Sequence, residues 1–535
     1  MIADLVGGLS LTGLMMPEAV AYSSIAGVPA AFGITAAAVG PIAYAIVGRS
    51  RLAVVSATSG SAALLAAAIA SAAIPGAPAA DCAVALTILV GLFFVGGALL
   101  RVAELTSFIS RAVLQGFGFG LAITICLRQL SRLAGLPIVN GGPAWRAVAS
   151  LAVHISQVHV PSLMLGCGAL LALLAARRLK FVAAGLIVIV VSTAAMRFGP
   201  IAHLGISTVG ALAIKPVIPA LPALAAGDWA RLAQFAFPIA IVLLAESWTT
   251  MRSLASAYGE AVSAEREITA LGIANLTSAL FRGMPVGAGF SISNANAHSG
   301  TASRKGAVIA ATAVALTALA VADWIALIPE PVLAAIVITA LIDALSPEPI
   351  IALFRLDRDQ WVAVAAAVGV LAFGIINGLL ISVGISIIGL LRRLAYPELS
   401  ELGRTDEHDF VDCSTHPQAK PVAGALVIRP DAPLFFANAD EVLAEVGRRA
   451  RSMGVTGIVL SLEETNDLDS TALAALAEFR QAMDAQGRSL ILARVHDRVR
   501  SILARAGMSD LAATSTFSVD DAVRMIGSMK QSQAQ

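Results

Sequence analysis

The chain has 535 residues, 58% of them hydrophobic and only 13% charged, with a net charge of +1 and a mean hydropathy of +0.83. Soluble domains carry about twice that charged fraction, so an ordinary soluble protein is excluded and a polytopic membrane protein is indicated. Near-neutral charge without a basic stripe argues against nucleic acid, and four isolated cysteines without Cys/His spacing argue against a metal site or a disulfide framework.

Residues 1 to about 395 form one apolar block after another. The first run, Leu5 to Ala21, has no basic leader and contains Glu18, so it is expected to stay as a span rather than be cleaved. A span needs about 20 mostly apolar residues, and about fourteen candidates follow. Their centres lie near Leu14, Tyr44, Leu65, Leu92, Gly120, Leu170, Val188, Val242, Gly272, Asn294, Val314, Ile336, Val368 and Ile387. Pro/Gly-rich breaks such as IPGAPAAD, GLPIVNGGP and PVIPALPALAAGD separate them. With the N-terminus inside, inner loops hold Arg49, Arg51, Arg177, Arg178, Lys180, Arg252, Arg355, Arg358, Arg392 and Arg393 among others, and outer loops about half as many basic residues. An even span count returns the C-terminus to the cytosol.

Two segments break the pattern in the same way. VVSATSGSAALLA reads as a short strand, a polar turn and a helix, and RGMPVGAGFSISNANAHSG repeats that order. Irregular backbone survives at membrane depth only where protein or a water-filled cavity covers it, and matched interruptions in two halves point to a transporter binding site. Glu18 precedes the first segment, and Glu246 the second, by about forty residues, which supports an internal repeat. Ser56, Thr58, Ser59 and Ser61 lead one half-helix; Gly287, Gly289, Ser291 and Ser293 lead the other. Helix-start N–H groups bind anions without a side-chain charge, and glycine lets the backbone approach. Tight helix packing is the competing explanation for such small residues. Carboxylates at bilayer depth are costly and functional by default, so Glu246 is the leading candidate for carrying a proton, with a neutral, hydrogen-bonded packing role in the core as its alternative. Glu18 is a second, with a structural role in bonding nearby backbone as its alternative.

From about residue 400 the chain reads as a soluble α/β domain. VAGALVIRP is a strand, Asp440 to Ser452 a helix, Gly457 to Leu462 a strand, a helix opens after Asp469, and Ser489 to Ala493 is a strand. The domain limits expected are 1–395 for the membrane part, 396–420 for a linker and 421–535 for the tail. Asp467, Asp469, Ser470 and Thr471 open the tail's second helix, where N-capping is a sufficient explanation.

MMPEAVAYSSIAGVPAAFGITAAAVGPIAYAIVGRSR, with Pro17, Ala21, Tyr22, Gly27, Pro29, Gly33, Pro41, Tyr44 and Gly48 in register, resembles the opening signature of the sulfate permease family, bacterial relatives of solute carrier family 26. NLTSALFRGMPVGAGFSISNANAHSGTAS is similar to that family's tenth helix, and LFFANADEVL with VLSLEETNDLDSTALAAL to its C-terminal STAS domain. The resemblance implies a polytopic α-helical membrane protein of about fourteen transmembrane segments, built as two inverted seven-segment repeats forming a core and a gate. It further implies a C-terminal α/β STAS domain and elevator-type anion transport. It places the third and tenth segments face to face around the substrate, and Glu246 at the acidic position of the eighth. It makes Ser470 a phosphorylation candidate. One departure stands out: relatives read Phe-Ser-Arg-Thr where this chain has Phe290, Ser291, Ile292, Ser293, so that cation is missing. His298 lies nearby. Two carboxylates without an arginine repel an anion until one is protonated, which predicts that proton and anion bind together.

The expected function is secondary active transport of a small inorganic anion, sulfate first, by proton symport. The expected setting is the inner membrane, with a homodimer, a cytoplasmic tail open to a regulator, and no cofactor or catalytic residue. Na⁺-coupled or uncoupled bicarbonate or dicarboxylate transport is the alternative. A membrane-anchored STAS sensor with a vestigial transport part is the reading from a different class. No nucleophile–His pair or Walker loop supports a membrane enzyme or an ATP-driven pump.

Overall fold

A computed structural model of the chain describes residues 2–101, 110–137, 142–179, 184–211, 221–301, 303–357, 359–405 and 409–533. Lys180 and Arg358, and parts of the breaks at 135–143 and 216–228, lie outside the described residues. The chain divides into two compact units, residues 1–386 and 387–535.

The first unit opens with α1 (Ile2–Ala26), α2 (Ala30–Val47), strand β1 (Val55–Ser56), α3 (Ser59–Ala72) and α4 (Ala79–Leu99). Then come α5 (Arg111–Leu133), α6 (Ala144–Val153), α7 (Val160–Arg178) and α8 (Ala184–Phe198). The second half repeats the plan with α9 (Ala226–Tyr258), α10 (Ala264–Leu280), strand β2 (Gly287–Ala288), α11 (Phe290–His298) and α12 (Lys305–Ala320). It continues with α13 (Ala322–Ala326), α14 (Glu330–Leu341), α15 (Glu348–Leu356), α16 (Gln360–Phe373) and α17 (Ile375–Ala395). Each of the fourteen predicted span centres falls inside one of these helices. Among the described residues, seven helices are long and apolar enough to cross a membrane. The number is up to eight if the pair bent by 54° at residue 342 is one span. The other predicted centres fall in shorter helices, α8, α10, α12, α14 and α16 and the two half-helices, of which α3 has 14 residues and α11 has nine. At about 1.5 Å per residue neither reaches across about 30 Å of hydrocarbon.

The helices sort into two packed groups. In one, α1, α2, α4, α9, α10 and α12 surround α3 and α11; in the other, α5 packs on α16 and α14, and α14 on α7. Small residues set the spacing. A Cβ on Gly33 of α2 would lie 2.0 Å from the Ala19 carbonyl oxygen of α1. One on Gly116 of α5 would lie 1.9 Å from that of Ala363 on α16. With no hydrophobic drive between helices in lipid, this close backbone contact supplies the packing energy.

The tail carries a five-stranded sheet in the order β4-β3-β5-β6-β7, formed by β3 (Leu399–Arg404), β4 (Phe410–Asp412), β5 (Ala425–Pro430), β6 (Gly457–Ser461) and β7 (Ser489–Ala493). β5, β6 and β7 run parallel, and β3 is antiparallel to both its neighbours. α18 (Ala439–Ser452) and α19 (Ser470–Ala485) cover one face through Val446, Leu476 and Leu460. After α20 (Asp497–Arg505) and α21 (Ser509–Ala513), α22 (Val519–Gln533) covers the other through Ala522 and Ile526. The segment 396–420, read from sequence as a linker, is part of this domain. Leu399, Ser400 and Glu401 pair with Pro430, Arg429 and Ile428, which shields the β5 edge.

Candidate functional site

The two interrupted segments meet. β1 and β2 form an antiparallel ladder in which Val55 pairs with Ala288 and Ser56 with Gly287, and α3 and α11 leave from its two ends. Two residues of ladder cannot satisfy the irregular backbone alone, and neighbouring side chains complete it. Ser293 Oγ accepts from the Val54 N–H at 3.1 Å, and Asn296 Nδ2 donates to the Leu52 carbonyl at 2.9 Å. Ser247 Oγ accepts from the Ala288 N–H at 2.9 Å. Asn275 clamps Val286: its Oδ1 accepts from the N–H at 3.0 Å and its Nδ2 donates to the carbonyl at 2.8 Å.

The predicted residues divide by what they do here. Thr58 is the N-cap of α3 and forms a capping box with Ser61. Its Oγ1 accepts from the Ser61 N–H at 3.0 Å, while the Ser61 hydroxyl accepts from the Thr58 N–H at 3.0 Å. Ser61 and Ser293 are therefore held by backbone, and Ser56 Oγ donates to the adjacent Ala57 carbonyl at 3.2 Å. Ser59 is half-buried at the first position of α3. Gly287 has no room for a side chain, since a Cβ there would come 2.8 Å from Ser247 Oγ. Gly289 caps α11 without any side-chain bond to its first turn, and Ser291 is exposed just inside that turn. His298 is exposed at the far end of α11, its Nδ1 2.8 Å from the Asn294 carbonyl oxygen.

Both acids reach this centre, each toward the other half's half-helix. Glu246 of α9 accepts a hydrogen bond from Thr58 Oγ1 at 3.2 Å, at the start of α3. Gly60 makes the space, because a Cβ there would stand 3.3 Å from Glu246 Oε2. Glu18 of α1 is 5% exposed and lines a cavity of about 520 Å³ together with Ser291 of α11. Tyr22 is buried one turn beyond Glu18 on α1. Glu246, Thr58, Ser59 and Gly60 thus form one side of the centre, and Glu18, Gly289 and Ser291 the other.

Sequence reasoning missed several residues. Ser247, Asn275 and Asn296 are isolated polar residues in apolar context, and each turns out to hold the crossing backbone. Glu267 was missed as well. It is 1% exposed on α10, where its carboxylate accepts from Tyr44 Oη at 2.6 Å and from the Arg49 N–H at 3.0 Å. In the tail, Ser470 is exposed at the first position of α19. Asp469 is the cap, with Oδ1 accepting from the Ala472 N–H at 2.9 Å and Oδ2 from the Phe436 N–H at 2.7 Å.

This architecture agrees with known proteins. Residues 1–367 match the model of the sulfate permease family, and residues 416–522 that of the STAS domain. The probable sulfate transporter Rv1739c of Mycobacterium tuberculosis is 31% identical over 521 residues, covering 95% of this chain and 91% of its own. Sulfate transporter 4.1 of Arabidopsis thaliana is 27% identical over 554 residues, covering 98% and 79%. Among solved structures, the murine Slc26a9 anion transporter in its inward-facing state superposes with a TM-score of 0.89 at 20% identity, over 99% of this chain and 92% of that one. The transmembrane domain of a cyanobacterial bicarbonate transporter, BicA, gives 0.62 at 21% identity, over 72% and 96%. These relatives are transporters rather than enzymes, and the chain belongs to the sulfate permease family, as a multi-pass membrane anion transporter with a C-terminal STAS domain.

Proposed function

We propose that the chain carries a small inorganic oxyanion, sulfate first, by proton-coupled symport. The observation that carries this reading is the hydrogen bond from Thr58, the cap of α3, to Glu246. It ties an acid to the start of the very half-helix whose backbone is suited to an anion. Within about 4 Å of an ionised Glu246, at an effective dielectric of about 20, an anion meets about 4 kcal/mol of repulsion. That is about three powers of ten in affinity. Protonation removes it, so proton and anion load together. The substrate rests between the starts of α3 and α11, against Ser59, Gly289 and Ser291. Ser56, Thr58, Ser61, Gly287 and Ser293 shape the frame around it, and Glu18 is the second proton-binding candidate.

Two features support movement by an elevator. α3 and α11 belong to one helix group, and the cavity beside α11 is walled on its far side by α7 and α14 of the other. Sliding one group against the other would expose the same site on either face. Sulfate is favoured by the names of the relatives, and the tail is assigned to the cytoplasmic side by the basic loops.

The test is uptake into proteoliposomes of labelled sulfate, with bicarbonate and fumarate alongside, under two pH gradients. Sulfate uptake should rise with acid outside and collapse with a protonophore; indifference to both would end the coupling. Glu246→Gln should keep sulfate exchange and lose uphill accumulation, whereas full accumulation would remove Glu246 from the mechanism.

A further inference from the structure

The cavity that holds Glu18 and Ser291 has a second wall made by Arg177, Thr339 and Asp343. Arg177 stands on the last turn of α7, and its guanidinium pairs with the Asp343 carboxylate. It also donates to the Thr339 carbonyl at 3.4 Å, near the C-terminal end of α14. Among the described residues lining the cavity, Arg177 is the one cation, against Glu18 and Asp343. The two partners differ in exposure: the Asp343 side chain is 82% exposed and that of Arg177 41%. So open a pair adds little to stability, and its aspartate can turn to water at small cost. The arginine is held by the helix end, and its planar fork matches a sulfate-like oxyanion with two parallel N–H donors.

We propose that Arg177 is a peripheral binding site for the transported anion at the inner mouth of the cavity, with Asp343 as the counter-ion that the anion displaces. An oxyanion at the cavity mouth takes the place of the aspartate on the guanidinium, then passes inward to the start of α11. Arg177 thereby supplies the positive charge that the α3–α11 centre lacks. It selects for anions at the inner mouth without holding them at the centre. Asp343 keeps the arginine from trapping them, because it reclaims the guanidinium once the anion has moved on. This rests on the anion-transport reading above.

The experiment is the initial rate of labelled sulfate efflux by the full chain from proteoliposomes in which its inner face lines the lumen, as a function of internal sulfate concentration. Arg177→Gln should raise KM about five-fold or more with little change at saturation, the signature of lost binding rather than a slowed step. Asp343→Asn should lower KM, and both effects should shrink in high chloride. Opposite signs for the two variants are the expected result. If both raise KM alike and the exchange Arg177→Asp with Asp343→Arg restores the wild-type value, the pair is structural and the proposal falls. It falls equally if neither moves KM. Asp343→Asn leaves the arginine in place, so it decides the matter even where Arg177→Gln does not assemble. A wild-type chain that moves no anion would instead overturn the transport reading itself.

Discussion

Glu246 and Glu267 are both carboxylates within apolar helices, and their surroundings give them opposite jobs. Glu267 has two strong donors fixed in place, Tyr44 Oη and the Arg49 N–H, and so anchors the end of α2. Glu246 accepts from one donor among the described residues, the Thr58 hydroxyl, at the edge of the crossing. A hydroxyl can also accept, so Thr58 can serve the carboxyl in either protonation state. Asn275 of α10 is structural in the strict sense. Asn275→Leu would leave the buried N–H and carbonyl of Val286 unpaired, at about 1–3 kcal/mol for each. The expected outcome is a clear fall in apparent Tm in detergent, together with loss of transport. Glu246→Gln should by contrast lose accumulation at nearly unchanged Tm. Comparing thermal unfolding of the purified variants checks both. Of these residues Glu246 was legible in the sequence, because a charge in an apolar run is conspicuous. Asn275 was not, because its significance lies in facing Val286 across a fold that brings the two together.

At the scale of elements, the decisive feature is a helix–helix spacing set by backbone. Gly116 and Gly118 sit two residues apart on α5 and differ completely in surroundings. A Cβ on Gly116 would run into the Ala363 carbonyl, while one on Gly118 meets nothing within 4 Å. Gly116→Ala should therefore pry α5 from α16 and lower yield and apparent Tm. Gly118→Ala should leave both unchanged or slightly raised, since alanine is the better helix former by about 1 kcal/mol. Size-exclusion profiles and melting curves of the two variants measure the difference. Nothing in the local sequence GFGFG separates these glycines; only the partner helix does. The same holds for α3 and α11. Their polarity and their breaks were readable and the family resemblance implied that they face each other, but their union through β1 and β2 is a property of the fold.

At the scale of the molecule, a membrane unit of two helix groups and a STAS domain share one chain, and the division between them was legible in composition. Its position was less so. The segment 396–420 looked like a linker because its apolar content is low, yet β3 within it covers the edge of β5 and buries Leu402 to 3% exposure. A fragment of residues 396–535 should therefore unfold cooperatively, and one of residues 421–535 should melt lower and tend to aggregate through the bared strand. Circular dichroism melts of the two fragments test this. By itself the sequence determined the class of protein, the placement of apolar helices and the existence of two polar interruptions. Those follow from solvent preference, which each residue carries independently of its partners. Only the tertiary structure decided which hydroxyls hold backbone, which acid stands at the crossing, and that Arg177 shares a cavity with Glu18. Those depend on distances between segments far apart in the chain, and such distances are fixed by packing rather than by any residue alone.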